Sequence, residues 1–165
     1  MAIAAWVEQV LNYHDAGQAD RQKRVRYRIR QGMKQGQRRI LLAGAAVGFF
    51  CVALGAFGAH ALGDMLNERA RFQFDLGIRY AFYHGLALLG AGLALPVAAR
   101  PRQLSLGAVF FTAGTVLFSG SLLLLAVTRL KLFAMLTPLG GLCLLAGWAL
   151  FVYSMWAGRA SGEAQ

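Results

Sequence analysis

The chain has 165 residues, of which 58% are hydrophobic and only 15% are charged, and its formal net charge is +10. Soluble domains contain roughly 45–50% apolar and 25% charged residues, so this composition excludes an ordinary soluble fold. Nine of the 17 Lys and Arg residues precede the first long apolar run, so the positive charge belongs to one terminal segment.

The N-terminal segment, residues 1–32, is predicted to be a basic tail. It contains the run Arg24 to Arg30, in which basic and apolar residues alternate. Such a run favours anionic lipid headgroups as its partner, and no nucleic acid is expected because no nucleic-acid-binding fold accompanies it. Met33, followed by basic residues and then an apolar run, is typical of a bacterial membrane-protein start. The tail is therefore either disordered or not native sequence, with Met33 as an alternative start.

Four uncharged apolar runs follow the tail. A helix needs about 20 apolar residues to cross a bilayer core roughly 30 Å thick, and each run meets that length. Backbone polar groups in lipid must be satisfied within their own segment, and the period-2 alternation of a membrane barrel is absent. The predicted fold is all-α: a four-transmembrane-helix bundle formed by residues 33–158, with a short C-terminal tail at 159–165. The spans are predicted at about 40–62, 78–99, 104–128 and 132–157.

The distribution of basic residues predicts the orientation of this bundle. With four spans both termini share one side, which carries 12 Lys and Arg residues against five on the other. The positive-inside rule places both termini in the cytoplasm, and the chain in the bacterial cytoplasmic membrane as a multi-pass protein.

The segment 63–77, between the first two spans, is amphipathic and is predicted to be an outer loop leading into an early helical turn. It contains no Ser/His/Asp arrangement and no paired catalytic carboxylates. This predicts that the protein is not an enzyme. The absence of charged residues deep in the spans argues against an ion pump or a proton-coupled transporter.

Polar residues at membrane depth are predicted to gather in the outer half of the bundle. This outer polar cluster consists of Arg79, Tyr80, Tyr83, Ser119, Ser121, Thr137 and Pro138. Pro138 lacks an amide donor and should kink the fourth span or open its first turns. Helix packing is assigned to small residues that allow close approach, namely Gly55, Gly58, Gly120, Gly140 and Gly141.

His60 and His84 allow three interpretations. On adjacent helices at similar depth they could ligate a haem or a divalent metal. Alternatively, each makes an interhelical hydrogen bond, worth about 0.6–2 kcal/mol in a membrane, or the two histidines act as a protonation-linked switch. No carboxylate or thiolate is expected beside them as a further ligand, so no cofactor is predicted and the metal site stays an alternative.

Four motifs, in order, resemble a known family. They are Gly55-Ala56-Phe57-Gly58-Ala59-His60-Ala61-Leu62, Arg79-Tyr80-Ala81-Phe82-Tyr83-His84, Phe118-Ser119-Gly120-Ser121 and Thr137-Pro138-Leu139-Gly140-Gly141. The chain from about Met33 to Trp156 resembles domain-of-unknown-function family 423, bacterial relatives of the eukaryotic transmembrane-protein-256-like proteins. The resemblance implies a small four-span protein of the bacterial inner membrane and implies no particular activity.

The leading functional hypothesis is therefore a non-enzymatic accessory or scaffold component of the membrane. Its expected partners are the lipid bilayer and other membrane proteins or further copies of itself. The alternatives are a haem- or metal-binding protein that uses His60 and His84, and a small-molecule or lipid carrier with a cavity beneath Pro138.

Overall fold

The computed structural model describes residues 2–62 and 65–156, and within these ranges it contains four α-helices and no strand. The helices are α1 (Ala2–Ala61), α2 (Glu68–Ala94), α3 (Pro101–Thr128) and α4 (Lys131–Trp156). The predicted C-terminal tail, 159–165, lies outside the described residues. Contacts divide the chain into two units, Met1–Gly36 and Gln37–Gln165, which are considered separately.

The first unit contains the N-terminal part of α1. Helix α1 begins at Ala2, within the segment predicted as the basic tail. Arg21, Lys23, Arg24 and Tyr27 are exposed side chains in this unit. The alternative start at Met33 stays a prediction.

Helix α2 begins earlier than its apolar run suggests. Asn67 is its N-cap, with Oδ1 accepting a 2.9 Å hydrogen bond from the Ala70 amide, and Glu68 in the first turn favours the positive end of the helix dipole. Helical structure within the segment 63–77 therefore starts at Glu68, ahead of the predicted span start at 78. The helix also ends at Ala94, short of the predicted residue 99, and Pro96 brings no amide donor to continue it.

Helix α3 begins with Pro101, which is tolerated in a first turn where amides lack partners. Arg100, just before it, connects this end of the bundle to α4. Its backbone amide donates to the Ser154 carbonyl at 3.2 Å, and its guanidinium donates to the Tyr153 hydroxyl and lies 4.5 Å from the centre of the Tyr153 ring. The short connection between α2 and α3 is therefore held against the last turns of α4.

Helix α2 packs between α1 and α3 through small residues. A Cβ placed on Gly44 of α1 would lie 2.8 Å from the Gly85 carbonyl of α2, and one on Gly77 would lie 3.1 Å from the Ser119 carbonyl of α3. The buried side chains of α2 are mostly Gly and Ala. These close approaches let backbones touch, as is typical of helix packing in lipid.

Helices α3 and α4 meet along a seam in which small and large residues alternate. The α3 positions are Gly107, Phe111, Gly114, Phe118 and Ser121, and the α4 positions are Thr137, Gly140, Leu144, Gly147 and Phe151. The Leu144 side chain occupies the space beside Gly114, and the Phe111 side chain the space beside Gly147, whereas the backbone of Phe118 lies against Gly140. The spacing of three and four residues is that of a helical seam in which small residues admit side chains or backbone of the partner helix.

Three of the described helical segments are long and apolar enough to cross a membrane. They are Gln35–His60, Pro101–Thr128 and Lys131–Trp156. Their outward side chains include many large apolar residues, among them Phe49, Val52, Val116, Leu142 and Leu145. An apolar surface of this kind is suited to contact with lipid tails, as in membrane proteins built from helices.

Candidate functional site

The strongest polar feature of the described interior is His84, on the buried face of α2. Its imidazole is only 6% exposed and lies among aromatic rings from three helices. Because α2 begins at Glu68, His84 lies past the midpoint of its helix and not near its start.

Both ring nitrogens of His84 have protein partners. Trp148 of α4 donates from Nε1 to His84 Nε2 at 3.3 Å, and His84 Nδ1 lies 2.8 Å from the Tyr80 carbonyl oxygen, one turn back on α2. An indole N–H can only donate, so Nε2 must accept, and Nδ1 must carry the proton that goes to the carbonyl. The contacts thus specify a neutral imidazole with one defined tautomer.

Aromatic rings enclose this imidazole. The ring centres of Tyr80, Phe111 and Trp148 lie 6.2, 5.8 and 6.3 Å from that of His84, and Tyr80 lies 4.9 Å from Phe118. We call His84 and these four aromatic residues the histidine–aromatic cluster. It joins α2, α3 and α4 in one contact, with polar pairing at its centre and apolar rings around it.

A second polar contact joins α3 and α4. The hydroxyl oxygens of Ser121 and Thr137 are 2.8 Å apart, and each also lies near a carbonyl of its own helix, Phe118 and Phe133 respectively. Pro138, next to Thr137, is exposed and lies inside α4, which is assigned as one helix from Lys131 to Trp156. The structure thus brings Ser121 and Thr137 of the predicted cluster together.

The other members of the predicted outer polar cluster do not converge. Arg79 is exposed, and Tyr83 is 53% exposed and contacts the cluster through the ring of Tyr80, 6.1 Å away. Ser119 is 2% exposed, and its Oγ is the one buried side-chain oxygen or nitrogen in the described residues without a hydrogen-bond partner. The predicted cluster is therefore divided. Ser121 contacts Thr137, Tyr80 belongs to the histidine–aromatic cluster, and Ser119 is buried without a partner. Arg79, Tyr83 and Pro138 are exposed.

The structure does not bring His60 and His84 together. Gly85, next to His84, packs against Val47, whereas His60 lies 13 residues further along α1, about 20 Å at 1.5 Å per residue. His60 is exposed, and His84 has no free ring nitrogen to offer a metal. Within residues 2–62 and 65–156, no three His, Cys, Asp or Glu side chains gather in a group that could hold a metal ion.

The glycines assigned to packing fall into three groups. A Cβ on Gly58 would collide with the ring of Phe74, and one on Gly140 would collide with the backbone of Phe118. Gly141 has ordinary contact distances, the shortest being 3.8 Å, whereas Gly55 and Gly120 face open space. Only the first two positions require glycine for close packing.

Sequence reasoning missed Trp148, which supplies the donor to His84. Trp148 lies in a run of apolar residues and is 44% exposed. Its neighbours in the sequence therefore give no sign that it donates a hydrogen bond inside the bundle. The seam glycines Gly107, Gly114 and Gly147 were also missed. Their alternation with Phe and Leu at spacings of three and four was the available signal.

The packing, the apolar outer surface and the long apolar helices together define an integral membrane protein of the all-helical class. The chain matches the description "Protein of unknown function (DUF423)" over residues 54–141, more than half of its length. It belongs to the DUF423 family.

Relatives in several bacteria support the membrane location. The chain is 43% identical over 117 residues to UPF0382 inner membrane protein YgdD of Escherichia coli strain K12, covering 68% of this chain and 86% of that protein. It is 38% identical over 109 residues to a UPF0382 membrane protein of Haemophilus influenzae, covering 66% and 86%. It is 33% identical over 114 residues to UPF0382 membrane protein SH2409 of Staphylococcus haemolyticus, covering 69% and 92%. The chain is a bacterial inner-membrane protein. No solved structure matches it.

Proposed function

We propose that the protein is a non-enzymatic accessory or scaffold component of the cytoplasmic membrane. The observation that carries this proposal is that two interior polar side chains, His84 and Ser121, pair with side chains of α4. His84 is occupied by Trp148 and Tyr80, and Ser121 is occupied by Thr137. A catalytic group must be able to reach a substrate. The side chains of His84 and Ser121 instead form hydrogen bonds to a neighbouring helix.

The scaffold is proposed to have four spans, with both termini in the cytoplasm. Helix α2 has 27 residues, enough to cross the hydrocarbon core, and packs against both α1 and α3. A helix covered by neighbours contacts less lipid and tolerates His84 and several glycines. The ordered motifs also favour kinship with the eukaryotic transmembrane-protein-256-like proteins, and the basic residues favour the orientation.

The lateral face of α1 is the proposed contact for a second membrane protein or another copy of the chain. Phe49 and Phe50 are 69% and 59% exposed, and their rings meet edge to face at 5.5 Å. Paired aromatic rings offer a large, stiff surface that another helix can cover with little loss of side-chain entropy.

Native co-purification tests the scaffold proposal. The tagged chain is extracted with its surrounding lipid in polymer nanodiscs, and the proteins that accompany it are quantified by mass spectrometry. We expect a stoichiometric membrane partner, or a defined oligomer, that is reduced in a Phe49→Ala, Phe50→Ala variant. A matched Leu142→Ala, Leu145→Ala variant alters the exposed face of α4 and should retain it. Recovery of the monomer alone from the native membrane would overturn the proposal.

One groove favours the lipid carrier as a second candidate. It has a volume of about 580 Å³ and lies between α1 and α3, not beneath Pro138. Its walls include Ala43, Ala108, Val109 and Val116, and Arg39 lies at one end. An apolar channel with a guanidinium at its mouth suits an acyl chain whose anionic headgroup pairs with Arg39.

Vesicle transfer distinguishes the carrier from the scaffold. Movement of a fluorescent phosphatidylglycerol between leaflets or vesicles is compared for the wild-type chain and an Ala108→Phe variant, which fills the groove, with Gly120→Ala as the control. A carrier accelerates transfer and is slowed by Ala108→Phe alone. Equal transfer with and without the protein rejects the carrier and leaves the scaffold proposal unaffected.

The haem or metal alternative is not favoured. It requires His60 and His84 as a pair, and it requires a free nitrogen on His84, whereas the geometry offers neither.

A further inference from the structure

A small cleft at one end of the bundle concentrates positive charge. It has a volume of about 310 Å³ and lies where the first turns of α2 and α4 meet the end of α3. Its polar lining consists of Asn67, Arg69, Gln73, Arg129 and Lys131. Three cations and two amides therefore face one cavity, and no carboxylate is among the lining residues.

The backbone of Arg129 provides an independent observation. With φ 59° and ψ 14°, it is the one non-glycine residue with positive φ in the described chain, at the C-cap of α3. Glycine is the usual residue in this left-handed conformation, because a Cβ crowds the backbone there. Arg129 has this conformation and lines the cleft.

The helix ends reinforce the positive potential. Asn67 and Ala70 lie at the start of α2, and Lys131 starts α4, so the cleft lies beside two helix N-termini with partial positive charge. The α3 C-terminus contributes partial negative charge, and its Arg129 amide is already bonded to the Leu125 carbonyl at 2.9 Å. The Oδ1 of Asn67 is used in the helix cap, which leaves only its amide N–H groups for a ligand.

From this geometry we propose that the cleft binds a phosphate group. A phosphate offers several anionic oxygens to convergent donors, and guanidinium groups bind it through two parallel hydrogen bonds. The cleft lies at a helix-end level of the bundle, where phospholipid headgroups are found. The phosphate therefore comes either from an anionic phospholipid or from a soluble anion, and this proposal does not depend on the scaffold function.

The test uses the full chain purified in mild detergent, with two probes. Native mass spectrometry measures retention of phosphatidylglycerol against phosphatidylcholine, and calorimetry measures binding of inorganic phosphate. We expect Arg129→Gln and Arg69→Gln to weaken binding by about tenfold or more, because each removes a charge-assisted contact. Arg79→Gln, an equal loss of charge on the same helix outside the cleft, should leave binding unchanged.

Arg129→Gly separates binding from folding. It removes the guanidinium but relieves the left-handed strain, so this variant should unfold at a temperature no lower than wild type while losing the phosphate. Retention of phosphatidylglycerol without binding of inorganic phosphate identifies a headgroup site, and binding of both identifies a site open to soluble phosphate. Equal weakening by Arg129→Gln and Arg79→Gln, or no binding of either probe by wild type, would overturn the proposal.

Discussion

Trp148 Nε1 donates a hydrogen bond to His84 Nε2 across 3.3 Å, which joins α4 to α2 at a buried imidazole. The bond makes His84 an acceptor on one nitrogen and, through the Tyr80 carbonyl 2.8 Å from the other, a donor on the second. A residue whose two nitrogens are both used in this way holds α4 against α2. The relationship therefore has direct consequences for stability.

Removal of the indole donor is expected to destabilise the bundle. Trp148→Phe keeps an aromatic ring but leaves His84 Nε2 without a partner, and the loss should be about 0.6–2 kcal/mol, the range of interhelical hydrogen bonds in membranes. Unfolding of the purified protein by a denaturing detergent, followed by circular dichroism, measures this change. Trp156→Phe is the control, because Trp156 is 81% exposed. An equal effect of both variants would contradict the specific role of Trp148.

The α3–α4 seam is expected to reject added volume at one glycine and accept it at another. A methyl at Gly140 overlaps the Phe118 backbone, so Gly140→Ala should cost about 1–3 kcal/mol of unfolding free energy. Gly120 has no atom within 4 Å of a built Cβ, so Gly120→Ala should be neutral or stabilise the helix by about 0.5–1 kcal/mol. The same detergent unfolding experiment compares them. A larger loss for Gly120→Ala than for Gly140→Ala would show that the seam is packed differently.

The hydroxyl pair between α3 and α4 is expected to make a smaller contribution. Ser121→Ala removes the contact with Thr137 and should reduce stability by about 0.6 kcal/mol. Ser105→Ala serves as the control, because the Ser105 hydroxyl donates only to the Pro101 carbonyl of its own helix at 2.9 Å. Measurements with Thr137→Ala and the double variant isolate the coupling between the two hydroxyls. Additive effects would mean that the hydroxyls do not interact.

The purified protein is expected to contain neither stoichiometric haem nor metal. Binding of a metal or haem at His84 would require release of its hydrogen bond to Trp148. His60 lies about 20 Å along α1 from Val47, the α1 residue that packs beside His84. An absorbance spectrum and elemental analysis of wild type and of a His60→Ala, His84→Ala variant test this. A bound haem or metal present in wild type and lost in the variant would contradict it.

Cysteine labelling tests the four-span proposal. After replacement of the native cysteines Cys51 and Cys143 by alanine, single cysteines are introduced at Met65→Cys and Val97→Cys, which are exposed by 73% and 80% at the two ends of α2. A membrane-impermeant maleimide added to intact spheroplasts should label position 65 and spare position 97 until the membrane is opened. Equal labelling of both positions would show that α2 does not cross the bilayer.

Local features of the sequence explain part of what was predicted. Three membrane-capable helices follow from uninterrupted apolar length, because each segment enters lipid according to its own composition. The start of α2 was also encoded locally, by Asn67 as N-cap before Glu68, yet the polar residues that follow made the segment resemble a loop. Pro96 marks the end of α2 in the same local way.

By itself, therefore, the sequence determined the helical class, the membrane and the family. Only the tertiary structure decided that His84 contacts Trp148 instead of His60. It also decided that the Phe118 backbone packs against Gly140 while Gly120 faces open space. The shared cleft of Arg69, Arg129 and Lys131 depends on it in the same way. The physical reason is that hydropathy acts on each helix separately. Neighbours are selected by the fit of small and large side chains across helices, and that fit depends on rotation and register that no single helix contains.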